Sequence, residues 1–128
     1  MKIRSIIDIS ESLNYLGQLD DLLCAYPIAK NINKVKEHVE KFSHDKKSKI
    51  DEHVMKGENG AYKLTEDKTS FEFGKNLVTF EKEVEALKDV EVEIEFETFG
   101  MDELKNGKGE KVNPPAVVLA NLIDVIIK

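Results

Sequence analysis

The sequence predicts an α+β fold in which an antiparallel helical hairpin, flanked by amino- and carboxy-terminal helices, packs with a small sheet of two to three strands. Three observations lead there. The stretches Ile28 to Phe42 and Phe73 to Leu87 both repeat apolar residues at steps of four and three, the rhythm of helices lying side by side. The stretch Val90 to Glu97 instead alternates apolar and acidic residues strictly, as a strand with one covered face does. Finally, 41% hydrophobic and 34% charged residues suit a charged surface over a real core, and 128 residues support one such core, so residues 1–128 are read as a single domain.

At the amino end, Lys2 to Ile6 is a candidate strand, with Lys2 and Arg4 two apart and therefore on one face. Asp8 and Glu11 have the spacing of a capping box. Leu13, Leu16, Leu19, Leu22 and Leu23 then recur at helical intervals and define a first helix. Pro27 lacks an amide hydrogen and disfavours the α region at Tyr26, which predicts a bend there and a second helix beginning near Pro27. Ile28, Ile32, Val35, Val39 and Phe42 form its stripe, which Ile50 and Val54 extend on a shifted face.

Gly57-Glu58-Asn59-Gly60 is a tight-turn signal, because Asn and Gly tolerate positive φ. Ala61 to Leu64 reads as a short strand. Thr69 or Ser70 is expected to cap a third helix carrying Phe73, Leu77, Phe80, Val84 and Leu87, the stripe that would match helix two in a hairpin. The strand Val90 to Glu97 needs neighbours for its backbone groups, and the candidates are Lys2 to Ile6, Ala61 to Leu64 and Lys108 to Val112. Asn106-Gly107-Lys108-Gly109 is a loop too short to serve as a linker between domains. Asn113-Pro114-Pro115 reads as a cap and first turn for a buried final helix through Leu119, Leu122, Ile123 and Ile126.

Charge narrows the functional classes. Asp89, Glu91, Glu93, Glu95 and Glu97 account for five units of the net −6, so the acidity is local. Glu91, Glu93, Glu95 and Glu97 on one strand face form the candidate partner-binding site, able to attract a basic protein or to imitate nucleic-acid phosphates. Alternate strand residues lie about 7 Å apart, too far for one row to enclose a cation, and no metal site is assigned. Between residues 30 and 49 seven lysines face three acids, but with no arginine and few aromatics direct nucleic-acid binding is not expected.

His38, His44 and His53 lack the i, i+4 spacing of a helical zinc site and read as surface residues. Cys24, the only cysteine, rules out an internal disulfide, reads as a buried, inert thiol, and points to a reducing, cytoplasmic setting or to indifference to redox state. Neither a nucleophile motif nor a phosphate-cradling glycine loop is present, so no catalytic residue and no cofactor is assigned. No signal peptide is legible, and the apolar run Ala116 to Ile127 falls short of the roughly 20 residues of a membrane span.

The order of features is itself informative. A proline break, a long helix, Glu58-Asn59-Gly60-Ala61-Tyr62, a helix with Phe80, Val90-Glu91-Val92-Glu93-Ile94, Asp102-Glu103-Leu104 and a proline-led terminal helix resemble small proteins encoded by phages and prophages of Gram-positive bacteria. The resemblance covers most of the chain but carries structural punctuation and no assigned activity. The loop Lys105 to Lys111 is longer here than in that pattern. It implies a phage-encoded accessory protein in the cytoplasm of a bacterial host, acting without catalysis through contacts with a phage or host protein. The alternative is an acidic-surface inhibitor of a host nucleic-acid-binding or defence protein. Self-association is a further option, since a four-three stripe can pair with a second copy.

Overall fold

The computed structural model describes residues 1–128 and contains four α-helices: α1 (Ile3–Gly17), α2 (Ala25–His53), α3 (Leu77–Lys88) and α4 (Ala116–Leu122). Short 3-10 turns occur at Gly74–Asn76 and Met101–Glu103. By compactness the chain divides into two units, one of Met1–Glu40 with Glu91–Lys128, the other of Lys41–Val90.

The first unit holds most of the apolar core. Ile3, Ile6, Ile9, Leu13 and Leu16 recur every three or four residues and form the buried face of α1, which packs on α4. Ile6, Leu13, Leu16, Ile28, Leu104, Leu122 and Ile126 are among its fully buried side chains. Gly17 lets α2 come close, since a β-carbon there would stand 2.9 Å from Ile32 Cδ1. Asn121 Nδ2 donates to the hydroxyl of buried Ser12 at 3.0 Å, which satisfies the one polar position on the inner face of α1. Pro27 sits in the first turn of α2, as expected of a residue whose missing N–H costs nothing there, but the helix begins at Ala25 and includes Tyr26, where the sequence predicts a bend.

The second unit is held differently. Its buried apolar residues are Val54, Phe73 and Val84. Phe73 stacks on Phe80 with ring centroids 4.2 Å apart, and Tyr62 meets Phe71 edge to face at 5.4 Å. Single backbone bonds link Met55 to Glu72, Lys63 to Met55 and Glu72 to Lys63, closing a ring of three short segments. Gly60 takes φ +78° in the turn that the Asn-Gly pair signals.

Several expectations fail. The α+β class is overturned: the chain is helical, and its extended segments meet only through isolated bridges, so there is no sheet. Lys2 to Ile6 is not a strand, because the three-residue spacing of Ile3, Ile6 and Ile9 places it in α1, which begins five residues before Asp8. Ala61 to Leu64 and Lys108 to Val112 reduce to the single bridges Lys56–Tyr62, Leu64–Phe71 and Lys105–Lys111. Without those neighbours, Val90 to Glu97 has no ladder to join and makes one bridge, Glu91 to Lys2.

The matched-stripe hairpin fails with the class. The amino-terminal half of α2 buries Ile28, Asn31 and Val35 within the first unit, and α3 buries only Val84. Neither Thr69 nor Ser70 caps α3, which starts at Leu77 after a 3-10 turn. Asn113 likewise does not cap α4, whose N-cap is Pro115, and α4 ends at Leu122 rather than reaching Ile126.

Candidate partner-binding edge

Residues 91 to 97 are extended, and their burial alternates as the sequence pattern requires: Glu91, Glu93 and Glu95 are exposed, while Val92, Ile94 and Phe96 are half-buried. In extended backbone, successive N–H and C=O pairs point to opposite sides, so odd and even residues have separate sets of partners.

The odd side is satisfied in part by side chains, at Glu95 and Glu97. Asn31, 0% exposed on α2, acts as a surrogate strand: its Nδ2 donates to the Glu97 carbonyl at 2.8 Å and its Oδ1 accepts from the Glu97 N–H at 2.8 Å. Lys34 Nζ donates to the Glu95 carbonyl at 2.8 Å. Two residues on, the Phe99 N–H donates to Ile126, and the Phe99 carbonyl accepts from Lys128.

The even side is open. Val92 exchanges two 2.9 Å bonds with Met1, through the Met1 carbonyl and the amino-terminal ammonium. Beyond Val92 that pairing stops, and Ile94 and Phe96 make no backbone–backbone hydrogen bond. The result is a short strand edge whose next two donor–acceptor pairs have no hydrogen-bond partner within the chain.

The four candidate glutamates are not equivalent. Glu91 pairs with the Met1 ammonium at 2.9 Å, and Glu97 lies 3.7 Å from Lys30 and 3.5 Å from Lys34. The Lys30 ammonium is stabilised above its ordinary pKa, first by Tyr26 and then by Glu97. Glu93 and Glu95 carry no ion pair. The row the sequence singles out therefore reduces to two free carboxylates beside the open edge. Asn31, which holds the segment in place, escapes sequence reasoning because a lone Asn on a helical stripe reads as a solvent-facing interruption.

A second cluster lies within residues 41–90. His53 Nε2 and Glu83 Oε2 are 2.5 Å apart, and the ligand atoms of Glu52, His53 and Glu83 all lie within 4.8 Å of one another. Spacing along the chain suggests a surface position for His53. It is instead half-buried, met by Glu83 of α3, a residue thirty positions away that helical spacing could not reveal. Lys49 Nζ stands 3.4 Å from Glu52 and 3.6 Å from Glu83, so an ammonium already supplies the positive charge a cation would bring. His53, and after it Lys49, holds the Glu83 carboxyl below the ordinary range. This is an ion-pair network that ties α3 to the end of α2.

Cys24 is buried, and desolvation raises its pKa, which keeps the thiol protonated and a poor nucleophile. No helix is long and apolar enough to cross a membrane. Comparison with protein-family models, curated proteins and solved structures finds no match to this chain.

Proposed function

We propose that this chain is a noncatalytic interaction protein that binds an extended, basic segment of another protein along the open edge at Ile94 and Phe96. The observation that carries this reading is the pair of unpartnered backbone positions flanked by the unpaired carboxylates of Glu93 and Glu95. An added strand gains main-chain bonds from Ile94 and Phe96, which supply affinity without regard to sequence. Its alternate side chains fall on two faces, one meeting Glu93 and Glu95, the other meeting Ile94 and Phe96. The fitting partner alternates Lys or Arg with an apolar residue.

A second copy is a poor occupant. Pairing two such edges sets even residues opposite even ones, which forces glutamate opposite glutamate on the other face, a destabilising arrangement. Phosphate mimicry, the runner-up, is also less well supported, because Glu91 and Glu97 are neutralised within the chain. The setting we assign is the bacterial cytoplasm, with the phage-accessory role resting on the sequence resemblance.

The experiment is a titration with three capped peptides: alternating Lys and Val, alternating Glu and Val, and a basic peptide with proline at alternate positions. The Lys-Val peptide is expected to bind and to weaken as salt rises, while the other two fail. Equal binding by the proline peptide would leave charge alone as the determinant and favour the acidic-surface inhibitor. Binding of neither basic peptide would end both readings.

A further inference from the structure

Within residues 41–90, Ile50, Leu64, Phe71, Phe73 and Phe80 line a groove of about 440 Å³. Leu64 and Phe71 are 49% and 39% exposed there, large apolar surfaces left uncovered. The stacked rings of Phe73 and Phe80 belong to the apolar lining, and Thr69 and Ser70 bring polar groups to it. Two ammonium groups complete the lining, Lys46 from α2 and Lys68 from the loop ahead of Thr69.

Both lysines are exposed and neither forms an ion pair, which is also true of Lys47, Lys63, Lys75 and Lys82 in the same unit, whereas Lys41, Lys49, Lys56 and Lys88 are paired. The loop that carries Lys68 is fixed in place. Asp67 Oδ1 accepts from the Thr65 hydroxyl and from both the N–H and the hydroxyl of Thr69, with the neighbouring Lys68 at φ +59°. Three donors on one carboxylate oxygen set the backbone conformation that presents Lys68, a positive-φ position unusual for a residue with a β-carbon.

We infer that this groove binds a small amphipathic monocarboxylate, such as a medium-chain fatty acid, with its chain on the phenylalanines and its carboxylate between Lys46 and Lys68. The argument is complementarity. The lining is predominantly apolar, with unpaired positive charge and no free carboxylate among the lining residues. The volume is that of a small-molecule site. A polyphosphate is a poorer match, because no arginine and no glycine-rich loop is present to cradle its oxygens. This site is separate from the edge at Ile94 and Phe96, and its occupancy does not depend on that reading.

The test compares octanoate with 1-octanol, the same chain without the charge, by chemical-shift titration of the whole protein. Octanoate is expected to saturate a single site with shifts centred on Ile50, Leu64, Ser70 and Phe71, and to bind at least roughly threefold more tightly than octanol. Combining Lys46→Glu with Lys68→Glu is expected to weaken octanoate by roughly tenfold and to leave octanol and the melting temperature unchanged. If charge reversal unfolds the domain, Lys46→Gln with Lys68→Gln supplies the same comparison. Equal affinities for the two ligands, shifts centred elsewhere, or no saturation by octanoate in the folded protein would overturn the assignment.

Discussion

The two units of this chain are stabilised by different physics. In the unit of residues 1–40 and 91–128, stability comes from apolar side chains removed from water, with Ile6, Leu13, Leu16 and Leu122 all at 0% exposure. In the unit of residues 41–90, few side chains are buried and much of the order comes from polar pairs: His53 with Glu83, the Tyr62 hydroxyl with Asp51 at 2.7 Å, and Asp67 with Thr65 and Thr69. Apolar burial tolerates pH and salt, whereas carboxylate pairs do not.

The largest effect that would sharpen this contrast is a cavity in the apolar unit. Leu13→Ala is expected to destabilise it by about 3 kcal/mol, as removal of a fully buried leucine generally does, measured by chemical denaturation with amide exchange resolving the two units. A loss confined to residues 41–90 would invert the comparison. Next is Asn31→Ala, which strands the N–H and C=O of Glu97. A loss of about 2 kcal/mol is expected, with faster amide exchange at Glu97, and an unchanged exchange rate there would show that Asn31 is not the strand's partner.

Acid should act on the polar unit first. The carboxyls of Asp51, Asp67 and Glu83 all sit below their ordinary values, held by Tyr62, by Thr65 and by His53 respectively as the largest causes. A depressed carboxyl favours the folded state fully above its unfolded pKa, and the advantage is lost as pH falls through the lower folded value. Residues 41–90 should thus loosen below about pH 4.5, while the apolar unit persists, and Glu83→Gln should flatten part of that dependence. Synchronous acid unfolding of both units with no effect of Glu83→Gln would break the distinction. The smallest effect on stability is expected from Glu93→Gln with Glu95→Gln, within about 0.5 kcal/mol of wild type because both are exposed and unpaired. The same pair should lose most of the affinity for the Lys-Val peptide.

What the sequence discloses depends on where the partner of each residue lies. The helical rhythms of α2 and α3, the Asn-Gly turn and the in-out alternation of residues 91 to 97 are local and therefore legible. Strand pairing is not local. The alternation fixes which side chains face out, but not whether another strand, or the amide of Asn31, meets the backbone. The Lys2-Arg4 alternation masks the Ile3-Ile6-Ile9 period that makes the amino end helical, a conflict of two patterns in which burial decides. Among the acidic row the residue types are legible, but the neutralisation of Glu91 by the chain's own ammonium and of Glu97 by two lysines of α2 is not. The His53–Glu83 pair and the groove beneath Lys46 and Lys68 escape for the same reason, being made by residues distant in sequence.

The most direct measurement is residue-resolved amide exchange across positions 92 to 97, in the free protein and with the alternating Lys-Val peptide. In the free protein Val92 and Glu97, whose N–H groups bond to Met1 and Asn31, should exchange slowly, and Ile94 and Phe96 rapidly. Adding the peptide should slow Ile94 and Phe96 selectively. Slow exchange at those two positions before any peptide is added, or binding that leaves them fast, would contradict the open edge.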